Sequence, residues 1–284
     1  MKKITTKSNI LTLMLPFFFL LNCGGGNSPD RTAELLLLSQ LTTGTASTTS
    51  NSSVTIPESF ADTVTYPTTS GQGFKNTNNA VNGVYGSGCC VGSLSVYSLD
   101  PTGDGASITL EWKGKKVTNG TGIDFVVFEN AFQQGTNSNT VFMEATIVEV
   151  SNDNANYCGF SPNYTNSPET TYSNNPSHWS NFGGIKPVYY NESTNKLTGD
   201  DVFDTSKAGG DGFDLDNLTS NNYYNTGCSD SVKTSIQTNG FIYLKLTSAS
   251  ARINPDTGAN FLRDSGAFDG PDIDGAAARY LQSR

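Results

Sequence analysis

The sequence predicts an all-β fold, and three observations carry that expectation. The chain is rich in β-forming aromatics and turn glycines, with 12 tyrosines, 16 phenylalanines and 29 glycines. Its apolar residues recur in short runs with a period of two, bounded by Gly, Asn, Ser and Pro. No apolar heptad of any length runs through the body. At 284 residues the chain can close one full core, since all-β domains often exceed about 200 residues.

Strand-like runs occur at Ser93–Leu99, Ser107–Trp112, Ile123–Glu129, Phe142–Ser151, Gly184–Tyr190 and Phe241–Thr247. In Ser107–Trp112 the residues Ile108, Leu110 and Trp112 share one parity and point inward, while Thr109 and Glu111 point outward. Ile123–Phe128 is apolar at both parities, which predicts a central strand covered on both faces. Phe142–Val150 alternates until its end and places Glu144 and Glu149 on opposite faces. Residues 152–182 are dominated by Asn, Ser, Thr, Tyr and Pro and read as a long, irregular surface insertion. The folded body is expected from 54 to 284 as one domain.

The N-terminus carries an address. Lys2, Lys3 and Lys7 precede an apolar core from Ile10 to Leu21, and Leu20-Leu21-Asn22-Cys23 closes it. Twelve apolar residues cannot span a bilayer, which needs about 20. They fit a secretory signal peptide over 1–22, with Cys23 at the cut. The expected modification is a diacylglycerol on the Cys23 thiol and a further acyl chain on its freed amine. An ordinary secretory signal with a stray cysteine is the competing reading. Two or more acyl chains anchor stably, because each buried methylene contributes about 0.8 kcal/mol. Residues 23–53 then form a lipidated tether. Within it Arg31–Leu41 can form a short helix, and the Ser/Thr-rich run from Thr42 to Ser53 has little to bury.

The leader holds three lysines and no acid, so its removal takes the formal charge from −9 to −12. Such an acidic chain, with one histidine and no basic cluster, excludes nucleic acid as a natural partner. Charge does not draw it to anionic lipid either, so the lipid itself must anchor it to the membrane. Asn22 before the cysteine resembles the relaxed lipoboxes of spirochaetes, and Ala33-Glu34-Leu35-Leu36-Leu37-Leu38 resembles the leucine-rich patch of leptospiral lipoproteins. That resemblance implies a lipid-anchored protein of the outer membrane, exposed at the cell surface. It further implies a non-catalytic adhesin for host extracellular-matrix or plasma proteins.

Four other cysteines remain, Cys89, Cys90, Cys158 and Cys228, an even number in an oxidising export context. A bond between neighbours would strain the intervening peptide. Cys89 and Cys90 are therefore each expected to bond to Cys158 or Cys228, pinning the 151–235 excursion to an early strand. A four-cysteine zinc site lacks its usual paired CxxC spacing.

Three acidic clusters stand out. Asp124 and Glu129 flank the Phe125–Phe128 strand, Asp211 and Asp214 sit in the Gly209-Gly210-Asp211-Gly212-Phe213-Asp214 turn, and Asp272 and Asp274 lie in Asp272-Ile273-Asp274. Carboxylates this dense repel one another unless a cation sits among them. A structural calcium ion, which takes six to eight oxygens, is therefore expected at a point where all six converge. Asx turns account for the same residues without a metal. The EF-hand spacing is missing.

The segments DFVVFEN, Glu144–Ser151, GGDGFDL and the terminal DID resemble, in that order, a family of secreted bacterial cell-surface domains. The family resemblance implies a jelly-roll β-sandwich of the galactose-binding, discoidin-like kind. Phe268-Asp269-Gly270-Pro271 interrupts the last motif, and Gly275 stands where the family places Ala.

Tyr157, Phe160, Tyr164, Tyr172 and Trp179 lie in the polar insertion, where they could stack on sugars or pin the loop to the body. A carbohydrate-binding module is accordingly the alternative function, and a glycosidase-type enzyme a more distant one. His178 stands in the same insertion without a GxSxG elbow and is expected to be an exposed loop residue. No pair of acids is singled out for glycoside hydrolysis.

Replacing Cys23 by Ser is expected to leave a product that no longer partitions into detergent. Unchanged partitioning would refute lipidation.

Overall fold

The computed structural model describes residues 57–65, 73–220, 227–267 and 269–284. The leader, Cys23, the leucine patch and the tether lie outside the described residues.

Two antiparallel sheets form the body. The larger has the order β1 (Thr63–Thr65), β3 (Ser107–Glu111), β13 (Tyr243–Ser248), β8 (Thr146–Ser151) and β9 (Cys158–Gly159). The smaller has the order β12 (Asp211–Phe213), β5 (Phe125–Glu129), β14 (Asp272–Ala278) and β2 (Tyr97–Ser98). Three two-stranded ribbons complete the described strands: β4 (Lys115–Val117) with β15 (Leu281–Ser283), β6 (Phe132–Gln133) with β7 (Val141–Phe142), and β10 (Asn163–Tyr164) with β11 (Trp179–Ser180).

Alternation decides which side chains meet between the sheets. Ile108 and Leu110 of β3, Leu244 and Leu246 of β13 and Val148 and Val150 of β8 share one apolar core with Phe125 and Val127 of β5 and Ile273 of β14. Phe125 is its hub, with ring centroids 5.3 Å from Phe213 and Phe241 and 6.0 Å from Phe160. The other parity of β5 is buried as well. Val126 and Phe128 pack beneath Phe60, Val84, Val188 and Tyr190, as expected of a strand apolar at both parities. Each such side chain contributes roughly 1.5–3 kcal/mol by leaving water.

Elsewhere the local chemistry overrides the sequence pattern. The Phe142–Ser151 run splits into β7 and β8, with residues 143–145 outside both strands. Gly184–Tyr190 forms no strand and contributes only an isolated bridge from Val188 to Gly209. Gly184 has a φ of +78°, and Pro187 has no N–H to give a ladder. The 152–182 insertion is not a solvated loop. Tyr157, Phe160, Tyr164 and Trp179 are buried, and Trp179 packs against Tyr164, Tyr172 and Phe182.

A ten-residue helix, α1 (Asp230–Asn239), escapes the heptad criterion because it presents little beyond Val232 and Ile236 to the core. Its ends were nonetheless written in the sequence. Ser229 caps it by accepting from the Val232 amide, and Gly240 follows its last turn at φ +84°.

The cysteine pairing is corrected. Cys158 bonds to Cys228, joining the β9 edge strand to the residue just before the Ser229 cap, and Cys89 bonds to its neighbour Cys90. The long-range pairing expected for Cys89 fails because its loop lies elsewhere. It forms a bridge with Gln133 of β6, in the β6–β7 ribbon, whereas Cys158 lies in β9 at the edge of the larger sheet. The Cys158–Cys228 bond closes a separation of 70 residues, for which chain entropy predicts about 4 kcal/mol. The double variant Cys158→Ser/Cys228→Ser should therefore lose about 2–4 kcal/mol in urea unfolding, while losing Cys89–Cys90 should cost much less.

Candidate functional site

The site is built on the end of β5 and the loops that close over it. Gly209 and Gly210, at φ +70° and +69°, turn the chain into β12. A Cβ on Gly209 would lie 2.0 Å from the Pro187 carbonyl, and one on Gly210 would lie 2.8 Å from the Val127 carbonyl. Only glycine allows both the turn and the approach. The turn delivers Asp211 opposite Val127, where its carboxylate accepts from the Ile185 amide at 2.9 Å. Lys186 lies 3.9 Å from the same carboxylate.

Gly183 and Gly184 close the end of the sandwich. A Cβ on Gly183 would lie 3.2 Å from both Val127 and Val148, that is, between the two sheets. A Cβ on Gly184 would meet the Glu144 carbonyl at 2.5 Å and the Glu129 side chain at 3.1 Å. Beneath this cover Glu129 is 2% exposed and Glu144 5% exposed. Glu129 Oε1 accepts from the Asp272 amide at 3.1 Å. Glu129 Oε2 and Glu144 Oε1 are buried without a hydrogen-bond partner.

Burial sets the charge state of this cluster. Loss of water holds the Glu129 carboxyl well above its ordinary range, and the nearby Glu144 and Asp272 carboxyls raise it further. Glu144 is pushed up to about 9, first by burial and then by Asp272 and Asp269. Asp272 and Asp211 rise to about 6, mainly by burial, with Ser98 partly offsetting this for Asp272 and Lys186 for Asp211.

Of the six carboxylates expected to converge, three gather here: Glu129, Asp211 and Asp272. The other three do not, and convergence on one point is corrected. Asp124 sits at the far end of β5, roughly 17 Å of strand from Glu129. There it accepts from the amides of Gly120 and Leu215, both at 2.7 Å, tying two loops together. Burial raises its carboxyl to about 6. Asp214 caps the short turn Leu215–Asn217 by accepting from the Asp216 amide. Asp274, at the bulge between Ile273 and Gly275, accepts from the Tyr85 amide at 2.9 Å through Oδ2, while its Oδ1 is buried without a donor on that Tyr85 side. Among the described residues no three His, Cys, Asp or Glu side chains form a group that could hold a metal ion.

Glu144 is the member that sequence reasoning missed. Its signal was an acid inside the largely apolar Phe142–Val150 run. Glu149, its companion there, is equally buried but lies 3.0 Å from Lys245 and 3.5 Å from Arg252.

Beside the cluster opens a cleft of about 390 Å³, lined by Trp179, Asn181, Phe182, Lys186, Asp211 and Phe213 among others. His178 is half-buried rather than exposed, with Nδ1 2.7 Å from the Ser173 hydroxyl. No helix among the described residues is long and apolar enough to cross a membrane. No protein-family model, curated protein or solved structure matches the chain.

The raised carboxyls fix a direction of pH dependence. The folded state keeps protons that the unfolded chain releases near pH 4–4.5, so stability falls as pH rises from about 5 to about 9. In chelator, the urea midpoint should be lower at pH 8.5 than at pH 5.5, and Glu144→Gln should flatten that slope. Asp153, held far below its ordinary range by donors from Asn156 and Ala155, acts only below this window.

Proposed function

We propose that this chain is a non-catalytic binding lipoprotein, anchored to the outer membrane through acyl chains on Cys23, whose jelly-roll sandwich presents loops to host matrix or plasma proteins. The address rests on the signal, lipobox and tether sequences. The observation that carries protein binding is the loop after Gly88. Val91 is 63% exposed and Leu94 72% exposed, yet the loop is held firmly. Cys89 and Cys90 are bonded to each other, and Asn130, at the end of the DFVVFEN motif, clamps Ser93. Its side-chain oxygen accepts from the Ser93 amide and its nitrogen donates 3.0 Å to the Ser93 carbonyl. A fixed apolar loop on a body of formal net charge −11 suits a partner with an apolar pocket in a basic surface.

The carbohydrate-binding reading loses its original support, because four of the five insertion aromatics are buried. It keeps the cleft beside Lys186 and Asp211, whose polar and aromatic walls could take a small sugar. Glycoside hydrolysis has less to stand on. The most strongly opposed carboxyls, Glu129 and Glu144, are buried beneath Gly184, where a glycosidic bond cannot reach them.

Binding to a panel of immobilised matrix and plasma proteins tests the proposal. Val91→Ser/Leu94→Ser should weaken the interaction at least tenfold with an unchanged melting temperature. Retained binding by that variant refutes the loop, and a silent protein panel with a positive glycan array favours the cleft.

A further inference from the structure

We propose that Glu129 and Glu144 together hold a divalent cation, calcium by the nature of its ligands, at the closed end of the sandwich. Both side chains are more than nine-tenths buried, and each keeps one carboxylate oxygen with no donor. Buried acceptors are ordinarily satisfied, so two orphans on neighbouring acids mark a missing positive partner. The surrounding acids each have an oxygen already engaged. Asp272 takes the Ser98 hydroxyl and Asp211 takes the Ile185 amide. They contribute negative field.

The charges facing the pair come from several elements. Asp272, Asp269 and Asp264 oppose ionisation of Glu144, and Arg263 favours it. Asp272 and Asp211 oppose that of Glu129. Arg263 Nη1 donates to the Asp269 carbonyl, and Lys186 lies beside Asp211, so neither cation pairs with the two orphan oxygens. Glu149 provides the internal contrast. It is as deeply buried and its Oε1 also lacks a donor, but Lys245 and Arg252 reach its Oε2, so that acid already has a positive partner.

A calcium ion completes six to eight ligands readily with backbone carbonyls and water, so two carboxylates suffice as its charged donors. This ligand set agrees with the lack of any three-residue acid, His or Cys group among the described residues. It replaces the six-carboxylate arrangement with one pair, and it stands independently of what the outer loops bind.

The test is the melting temperature of the full chain at pH 7.5, in chelator and in calcium. Calcium at a hundredfold excess over its Kd should raise Tm by about 5–10 °C. Glu129→Gln and Glu144→Gln should each abolish that shift. Asp214→Asn, which preserves the cap, should keep it. Equilibrium dialysis of the wild-type chain with radioactive calcium should give one ion per chain, and guards against a glutamine variant that fails to fold. A wild-type Tm indifferent to millimolar calcium overturns the site, leaving protons as the partner of the pair. So does a stoichiometry of zero, or a shift that survives in both glutamine variants.

Discussion

The burial of β5 on both faces is the constraint on which the rest of the body depends. Phe125 and Val127 face the larger sheet, while Val126 and Phe128 face outward beneath Phe60 and Tyr190. A strand with no solvent face needs two covering layers, and the larger sheet supplies only one. The second comes from loops: the Phe60 turn, the segment around Val84, and Val188 to Phe203. The polar composition of those loops is therefore deceptive. Their few apolar residues point at β5, and the side chains of Asn191 and Asn195 satisfy the backbone of irregular segments that no ladder serves.

The same constraint explains why the carboxylates differ in role. A double-buried strand must end somewhere, and both ends of β5 are acidic. At one end Asp124 receives two backbone amides and acts as a rivet between loops. At the other end Glu129 receives one amide and retains a free oxygen beside Glu144. Burial alone does not distinguish them, since both are almost wholly removed from water. The count of donors does. An acid whose lone pairs are filled is part of the scaffold, and an acid with an empty lone pair in a dry site requires a proton or a cation.

Much of the sheet was legible, because strands report themselves through period two. β3, β5 and β8 fall within the expected runs, β13 overruns its own by one residue at Ser248, and the two-faced burial of β5 follows from Phe125-Val126-Val127-Phe128 alone. What escaped was set by tertiary context. α1 has too narrow an apolar stripe to register as a helix, although Ser229 and Gly240 mark its ends. The 152–182 segment reads as solvated because its aromatics are diluted by Asn and Ser, yet Tyr164, Trp179 and Phe182 build a second core with Ile147 and Phe261. Glu144 could not be assigned to the cluster from parity. The chain leaves the strand at residues 143–145, and alternation has no meaning there.

The two disulfides show how far pairing arguments reach. Strain turns pairing away from neighbours only where all four thiols can approach one another. They cannot, because Cys89 belongs to a loop beside β6 and β7 whereas Cys158 lies in the edge strand of the other sheet. The work is thereby divided. Cys158–Cys228 ties the insertion to the start of α1 and stabilises the core it joins, since both sulfurs are buried in it. Cys89–Cys90 closes no long loop and has no such effect on the unfolded chain. Its consequence is local, shaping one exposed turn whose other side is gripped by Asn130. Gly92 has to be glycine there, because a Cβ would lie 2.4 Å from the Asn130 amide nitrogen. The motif that ends β5, a strand buried on both faces, thus also fixes the loop that exposes Val91 and Leu94, and Asn130 links core and surface.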